Sequence, residues 1–91
     1  MVRYYFRFTG RVQGVGFRFF VSMNAEKCRL TGYVRNLPDG SVEAEGQGTA
    51  SAVEKFLDMT QNDAYHFIRI DHIERSERPL KEGEKKFRVA Y

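Results

Sequence analysis

The chain has 91 residues, of which 42% are hydrophobic and 14% aromatic, and its net charge is +3. That is apolar material for one small core, too much for a disordered chain, and no apolar run is long enough for a membrane span. The charge is too mild and too scattered for a dedicated nucleic-acid binder, and the single cysteine, Cys28, excludes an internal disulfide framework.

In chain order, Val2, Tyr4, Phe6 and Phe8 alternate with Arg3, Tyr5, Arg7 and Thr9. Period two over eight residues predicts a half-buried strand with its arginines in solvent. A glycine-rich loop follows, Gly10-Arg11-Val12-Gln13-Gly14-Val15-Gly16. Phe17, Val21, Ala25 and Cys28 then recur at helical spacing, with Phe20 and Met23 widening the face, so a helix is expected from Phe17 to near Arg29.

Tyr33 to Leu37 and Ser41 to Gly46 read as two strands of a hairpin. Pro38-Asp39-Gly40 between them is turn chemistry: proline pre-sets φ, and Asp39 and Gly40 suit left-handed positions. Ser51 with Glu54 fits a capping box, and Val53, Phe56, Leu57 and Thr60 predict a second helix that ends around Gln61-Asn62-Asp63. Phe67 to Glu74 is β-rich, but Ile73 has the opposite parity to Ile68 and Ile70, which predicts a bulge. After a polar loop from Pro79 to Glu84, Phe87, Val89 and Tyr91 alternate with polar neighbours in a last strand at the edge of the sheet. The phenylalanines and tyrosines as a set are expected to form the core.

Two βαβ units joined by a hairpin put both helices on one face, because each crossover is right-handed. The expected fold is a ferredoxin-like α+β sandwich, βαββαβ plus a C-terminal strand, with a mostly antiparallel sheet and one domain over residues 1–91. In this fold the glycine loop lies between the first strand and the first helix. Backbone amides at such a helix start form an anion cradle. Arg18, in the first turn, can fork onto two oxygens of a phosphoryl group. Asn36, at the end of a strand, can both donate and accept hydrogen bonds and can share the pocket of Arg18.

Other glycine-loop chemistries fail on detail. A P-loop ends in Gly-Lys-Ser/Thr, whereas Gly16 precedes Phe17 and Arg18. A dinucleotide fingerprint needs a small residue where Phe19 stands. His66 and His72 have no metal-ligand spacing with Cys28 or with a carboxylate cluster, so no metal site is expected. Glu43 and Glu45 share a strand face without an evident acid–base partner.

Gly10-Arg11-Val12-Gln13-Gly14-Val15-Gly16-Phe17-Arg18 and Gly32-Tyr33-Val34-Arg35-Asn36, with Asp39-Gly40-Ser41-Val42-Glu43, resemble the two signature motifs of the acylphosphatases. The resemblance spans nearly the whole chain. It implies hydrolysis of the carboxyl–phosphate anhydride of acyl phosphates without a metal or other cofactor. It also implies a catalytic pair, Arg18 binding phosphate and Asn36 orienting water, with Gln13, Gly14, Val15, Gly16 and Phe17 as the substrate-binding loop.

The expected partner is a small acyl phosphate, with no nucleic acid and no membrane, and the expected state is a monomer. The start Met1-Val2-Arg3-Tyr4 lacks a signal-peptide core, and with the lone Cys28 this places the expected location in the cytoplasm. Two other functions share this topology: a single-strand nucleic-acid module, disfavoured by Glu43 and Glu45 on the sheet, and a phosphate-binding domain without catalysis. The sequence shows no feature selective for one acyl group.

Overall fold

A computed structural model describes residues 1–91. Five strands and two helices run β1 (Val2–Arg11), α1 (Phe17–Lys27), β2 (Thr31–Asn36), β3 (Val42–Gly48), α2 (Ala50–Asn62), β4 (Arg69–Arg78) and β5 (Phe87–Ala90). The sheet order is β4-β1-β3-β2-β5. The β1–β3, β1–β4 and β2–β3 pairs are antiparallel, and β5 lies parallel to β2. This is the expected ferredoxin-like arrangement, with β5 as an added edge.

Strand parity sorts the side chains. Phe6 and Phe8 on β1, Val34 on β2, and Val42 and Ala44 on β3 form one buried face. Phe17, Phe20, Val21 and Ala25 of α1, with Val53 and Phe56 of α2, close over it. Phe8 meets Phe17 edge-on with ring centroids 5.2 Å apart, so the start of α1 is seated on the middle of β1. Cys28 is buried as expected, and burial pushes its thiol pKa up. Asn24 and Thr60 are the polar exceptions inside the helix pair, and Asn24 Nδ2 donates to Thr60 Oγ1 on α2 at 3.2 Å.

The other face of the sheet departs from the expectation of a solvated surface. Arg3 is 1% exposed. Its Nε donates to Glu45 Oε1 at 2.6 Å and its Nη1 to Glu84 Oε1 at 2.7 Å. Tyr5 OH donates to Glu43 at 3.1 Å, and Tyr33 OH lies 3.3 Å from both Glu43 and Glu45. Glu43 and Glu45 therefore have partners after all: they collect the phenols and guanidiniums of β1 and β2. Burial, with the charges of Glu45 and Glu43 beside it, pushes the Tyr33 phenol well above its usual range. Tyr5 and Tyr33 thus belong to this polar layer and not to the core.

Three local expectations change in detail. The cap of α2 is Thr49, whose Oγ1 accepts from Ala52 N–H at 3.1 Å, and not Ser51. Thr49 is still extended, at φ −66° and ψ 154°, whereas Ser51 is already helical and cannot cap. In the hairpin turn Gly40 alone takes a positive φ, 94°. Asp39 instead uses its carboxylate, accepting from Ser41 N–H at 3.0 Å and from Arg7. The bulge is present: the β1–β4 register shifts between Thr9 and Gly10, which skips Asp71. The extra residue brings Ile70 and Ile73 to the same side of the sheet, where both pack against the core.

Candidate active site

The turn from β1 into α1 is made by two glycines in left-handed conformations, Gly14 at φ 73° and Gly16 at φ 78°. Gly16 is the cap residue of α1 and has no side chain to accept from the helix start. A Cβ at either glycine would meet nothing within 4 Å, so positive φ and not crowding calls for glycine here. The first backbone bond of the helix runs from Phe20 N–H to Gly16 O at 3.1 Å. The N–H groups of Phe17 and Arg18 come before it and have no backbone acceptor.

The first turn contains no acidic residue and does contain Arg18. A cation beside the positive end of a helix is unfavourable by itself, so this arrangement favours an anion between them. Arg18 pairs with no carboxylate. Its Nη1 donates to the carbonyl of Ala90 at 3.1 Å, and its guanidinium carbon lies 4.8 Å from the ring centroid of Tyr91. β5 and the residue after it therefore aim the guanidinium, leaving its other N–H donors free of protein acceptors.

Asn36 reaches the same place from the sheet. It has the parity of Val34, whose side chain is in the core, and pairs with Val42 of β3. Its amide thus turns toward the side covered by α1. Asn36 Oδ1 is buried and has no hydrogen-bond partner, alone among the buried side-chain polar atoms. A buried acceptor without a donor costs roughly 1–3 kcal/mol. In a cavity such an atom is available to a donor from outside the chain.

These groups line one cavity of about 280 Å³, where Gly14, Gly16, Arg18 and Asn36 meet apolar walls from Val12, Phe17, Phe19, Val89 and Tyr91. The structure separates the remaining residues expected at the site. Val15 is half-buried against the core, and Phe17 is a core side chain whose N–H lies at the open start of α1. The side chain of Gln13 faces the hairpin instead, its Nε2 donating to the carbonyls of Leu37 and Ser41 at 2.8 Å each. Phe19, Val89, Ala90 and Tyr91 were not expected at the site. Phe19 carried a weak signal, an aromatic outside the Phe17–Val21–Ala25 face, whereas β5 carried none.

A glycine-turned, uncapped helix start on a ferredoxin-like sandwich describes an α+β protein with a helix N-terminus open to an anion. Residues 4–89 match the family described as Acylphosphatase. A curated acylphosphatase of Geobacillus thermodenitrificans is 46% identical over 82 residues, 90% of this chain and 86% of the relative. The crystal structure of acylphosphatase from Bacillus subtilis superposes with a TM-score of 0.93 at 37% identity and covers all of both chains. A similar fold makes up 12% of T.kodakarensis HypF, with a TM-score of 0.88, 34% identity and the whole of this chain covered. The chain belongs to the acylphosphatase family, and its activity is the hydrolysis of acyl phosphates.

Proposed function

We propose that Arg18 and the loop amides hold the phosphoryl group of an acyl phosphate while Asn36 orients the attacking water. The observation that carries this reading is the cavity shared by Arg18 and by the one buried acceptor without a partner, Asn36 Oδ1. The N–H groups of Phe17 and Arg18 and the guanidinium fork supply donors for the phosphoryl oxygens. Asn36 Oδ1 accepts a hydrogen bond from the water and fixes it in line with the bond to be broken.

Water oxygen bonds to phosphorus as the phosphorus–oxygen bond to the acyl group breaks, and the bonding pair leaves with the carboxylate. The conjugate acid of that carboxylate has a pKa of about 4, so it departs at pH 7 without a proton. A general acid is dispensable, which accounts for a site built without His, Cys or paired carboxylates. An amide is too weak a base to take the water proton, which passes to a phosphoryl oxygen. The donors are preorganised, so they strengthen as charge shifts in the transition state. Gln13 acts in this scheme through the loop it anchors, and Gly14, Val15 and Gly16 through their backbone.

The rest of the reading follows from the same residues. The 1–91 unit works as a monomeric cytoplasmic domain on a small-molecule substrate, without nucleic acid. On the open sheet face, where single-stranded RNA would stack, Tyr5 and Tyr33 are engaged by Glu43 and Glu45. No helix is long and apolar enough to cross a membrane.

The test is turnover of benzoyl phosphate by purified protein with and without excess EDTA. The expected result is hydrolysis well above background, unchanged by the chelator. Loss of activity with EDTA would reject the metal-independent scheme, and no turnover at all would reject the enzyme.

A further inference from the structure

The cavity that holds Arg18 and Asn36 has an apolar mouth that the phosphoryl chemistry does not use. Few large apolar side chains in the chain are exposed, and two of them, Phe19 at 64% and Tyr91 at 97%, line this cavity. Phe19 is the third residue of α1, outside the face that packs on the sheet, and follows Arg18 directly. Val12 and Val89 continue the apolar wall inward. The guanidinium on the Tyr91 ring holds that ring beside the phosphoryl position. Phe19 and Tyr91 together leave apolar surface exposed beside the cradle. It gains a partner when an apolar group is attached to the bound anion.

We propose that Phe19, with Tyr91 and Val89, forms an acyl-binding rim that favours acyl phosphates with an aromatic or extended apolar acyl group over acetyl phosphate. This rests on the reading of Arg18 and Asn36 as the phosphoryl half of the site. The phosphoryl group fixes one end of the substrate, and the acyl group must leave the cradle through the mouth. There a flat ring can lie against Phe19, whereas a methyl group is too short to cover it. Discrimination by apolar contact in a half-open site is modest, at the lower end of the roughly 10–200-fold range for apolar pockets.

The experiment compares kcat/KM for benzoyl phosphate and acetyl phosphate in the parent, in Phe19→Ala, in Phe19→Leu, and in Phe67→Ala as an exposed aromatic that does not line the cavity. The expected result is a benzoyl-to-acetyl ratio about tenfold lower in Phe19→Ala, intermediate in Phe19→Leu and unchanged in Phe67→Ala. A ratio that stays constant in Phe19→Ala, because neither substrate or both equally are affected, overturns the rim. So does an equal drop in Phe67→Ala, which would make the effect one of general surface apolarity. If the parent hydrolyses neither substrate, the failure lies in the reading of Arg18 and Asn36 beneath it.

Discussion

Gln13 Nε2 donates to the carbonyl of Leu37 at 2.8 Å and so ties the glycine loop to the hairpin that follows Asn36. The same nitrogen reaches Ser41 O on the other side of the turn. One side chain thereby sets the distance between the two halves of the site. With each bond worth roughly 0.5–1.5 kcal/mol net, Gln13→Ala should lower stability by about 1–3 kcal/mol in urea unfolding. KM for benzoyl phosphate should rise several-fold, because the loop loses its reference to the hairpin. Unchanged stability and KM would show that the loop holds its place without Gln13.

Arg18→Lys should lose at least about 100-fold in kcat/KM, the scale for removing one preorganised donor from a transition state. A lysine keeps the charge but cannot bond Ala90 O, stack on Tyr91 and fork onto two oxygens together. Steady-state kinetics with the folded variant decide this, and near-parental kcat/KM would remove the fork from the mechanism.

Asn36→Ala should separate function from stability. Its kcat should fall about 100-fold while inhibition by inorganic phosphate persists, because the cradle is untouched. Its stability should hold or rise by about 1 kcal/mol, since the variant removes a buried acceptor that has no partner. A marked loss of stability would mean that Asn36 serves the hairpin and not the water.

The pH dependence of folding should carry the signature of Glu84. Burial pushes its carboxyl up, but hydrogen bonding from Arg3 and Thr31 and the charge of Arg3 outweigh this and leave it below the usual range. A carboxyl depressed in the folded state contributes stability that is present above its unfolded pKa and is lost as pH falls through the folded value. Glu84→Gln should therefore flatten the acid limb of a plot of stability against pH. At neutral pH it should cost roughly 1.5–3 kcal/mol, the range for hydrogen bonds to charged groups, because Arg3 keeps only Glu45 as a charged partner. Chemical denaturation from pH 3 to pH 7 tests it, and parallel curves for parent and variant would count against the assignment.

The residues that specify the fold locally were the readable ones. Alternation along β1 placed Phe6 and Phe8 in the core, and the parity switch between Ile70 and Ile73 marked the bulge at Asp71. Arg3 was misjudged because its partners, Glu45 and Glu84, lie 42 and 81 residues away and no local pattern links them. Ser51 with Glu54 fits the capping-box pattern, but that local pattern does not show that the extended backbone a cap needs lies at Thr49. Arg18 stands out by its place just after the glycine loop and Asn36 by its place at a strand end before the hairpin turn, both inside motifs that resemble those of the acylphosphatases. The support from Ala90 and Tyr91 depends on β5 lying parallel to β2, a pairing fixed by tertiary packing. Phe19 lies outside the Phe17–Val21–Ala25 face, but only the placement of Val89 and Tyr91 beside it shows that it borders the site.

The two helices end their first turns in opposite ways. α2 carries its own cap in Thr49, and α1 has none. The second helix is thus finished by the chain itself, while in the proposed site the first would be finished by the bound anion. Substrate and product phosphate become, for as long as they stay, a missing piece of secondary structure. Ligand occupancy and folding are then one equilibrium: phosphate at 100 times its dissociation constant would stabilise the protein by about 2.7 kcal/mol. An acylphosphatase at work would resist heat and proteolysis better than the same molecule at rest, with amide exchange slowed first at the start of α1.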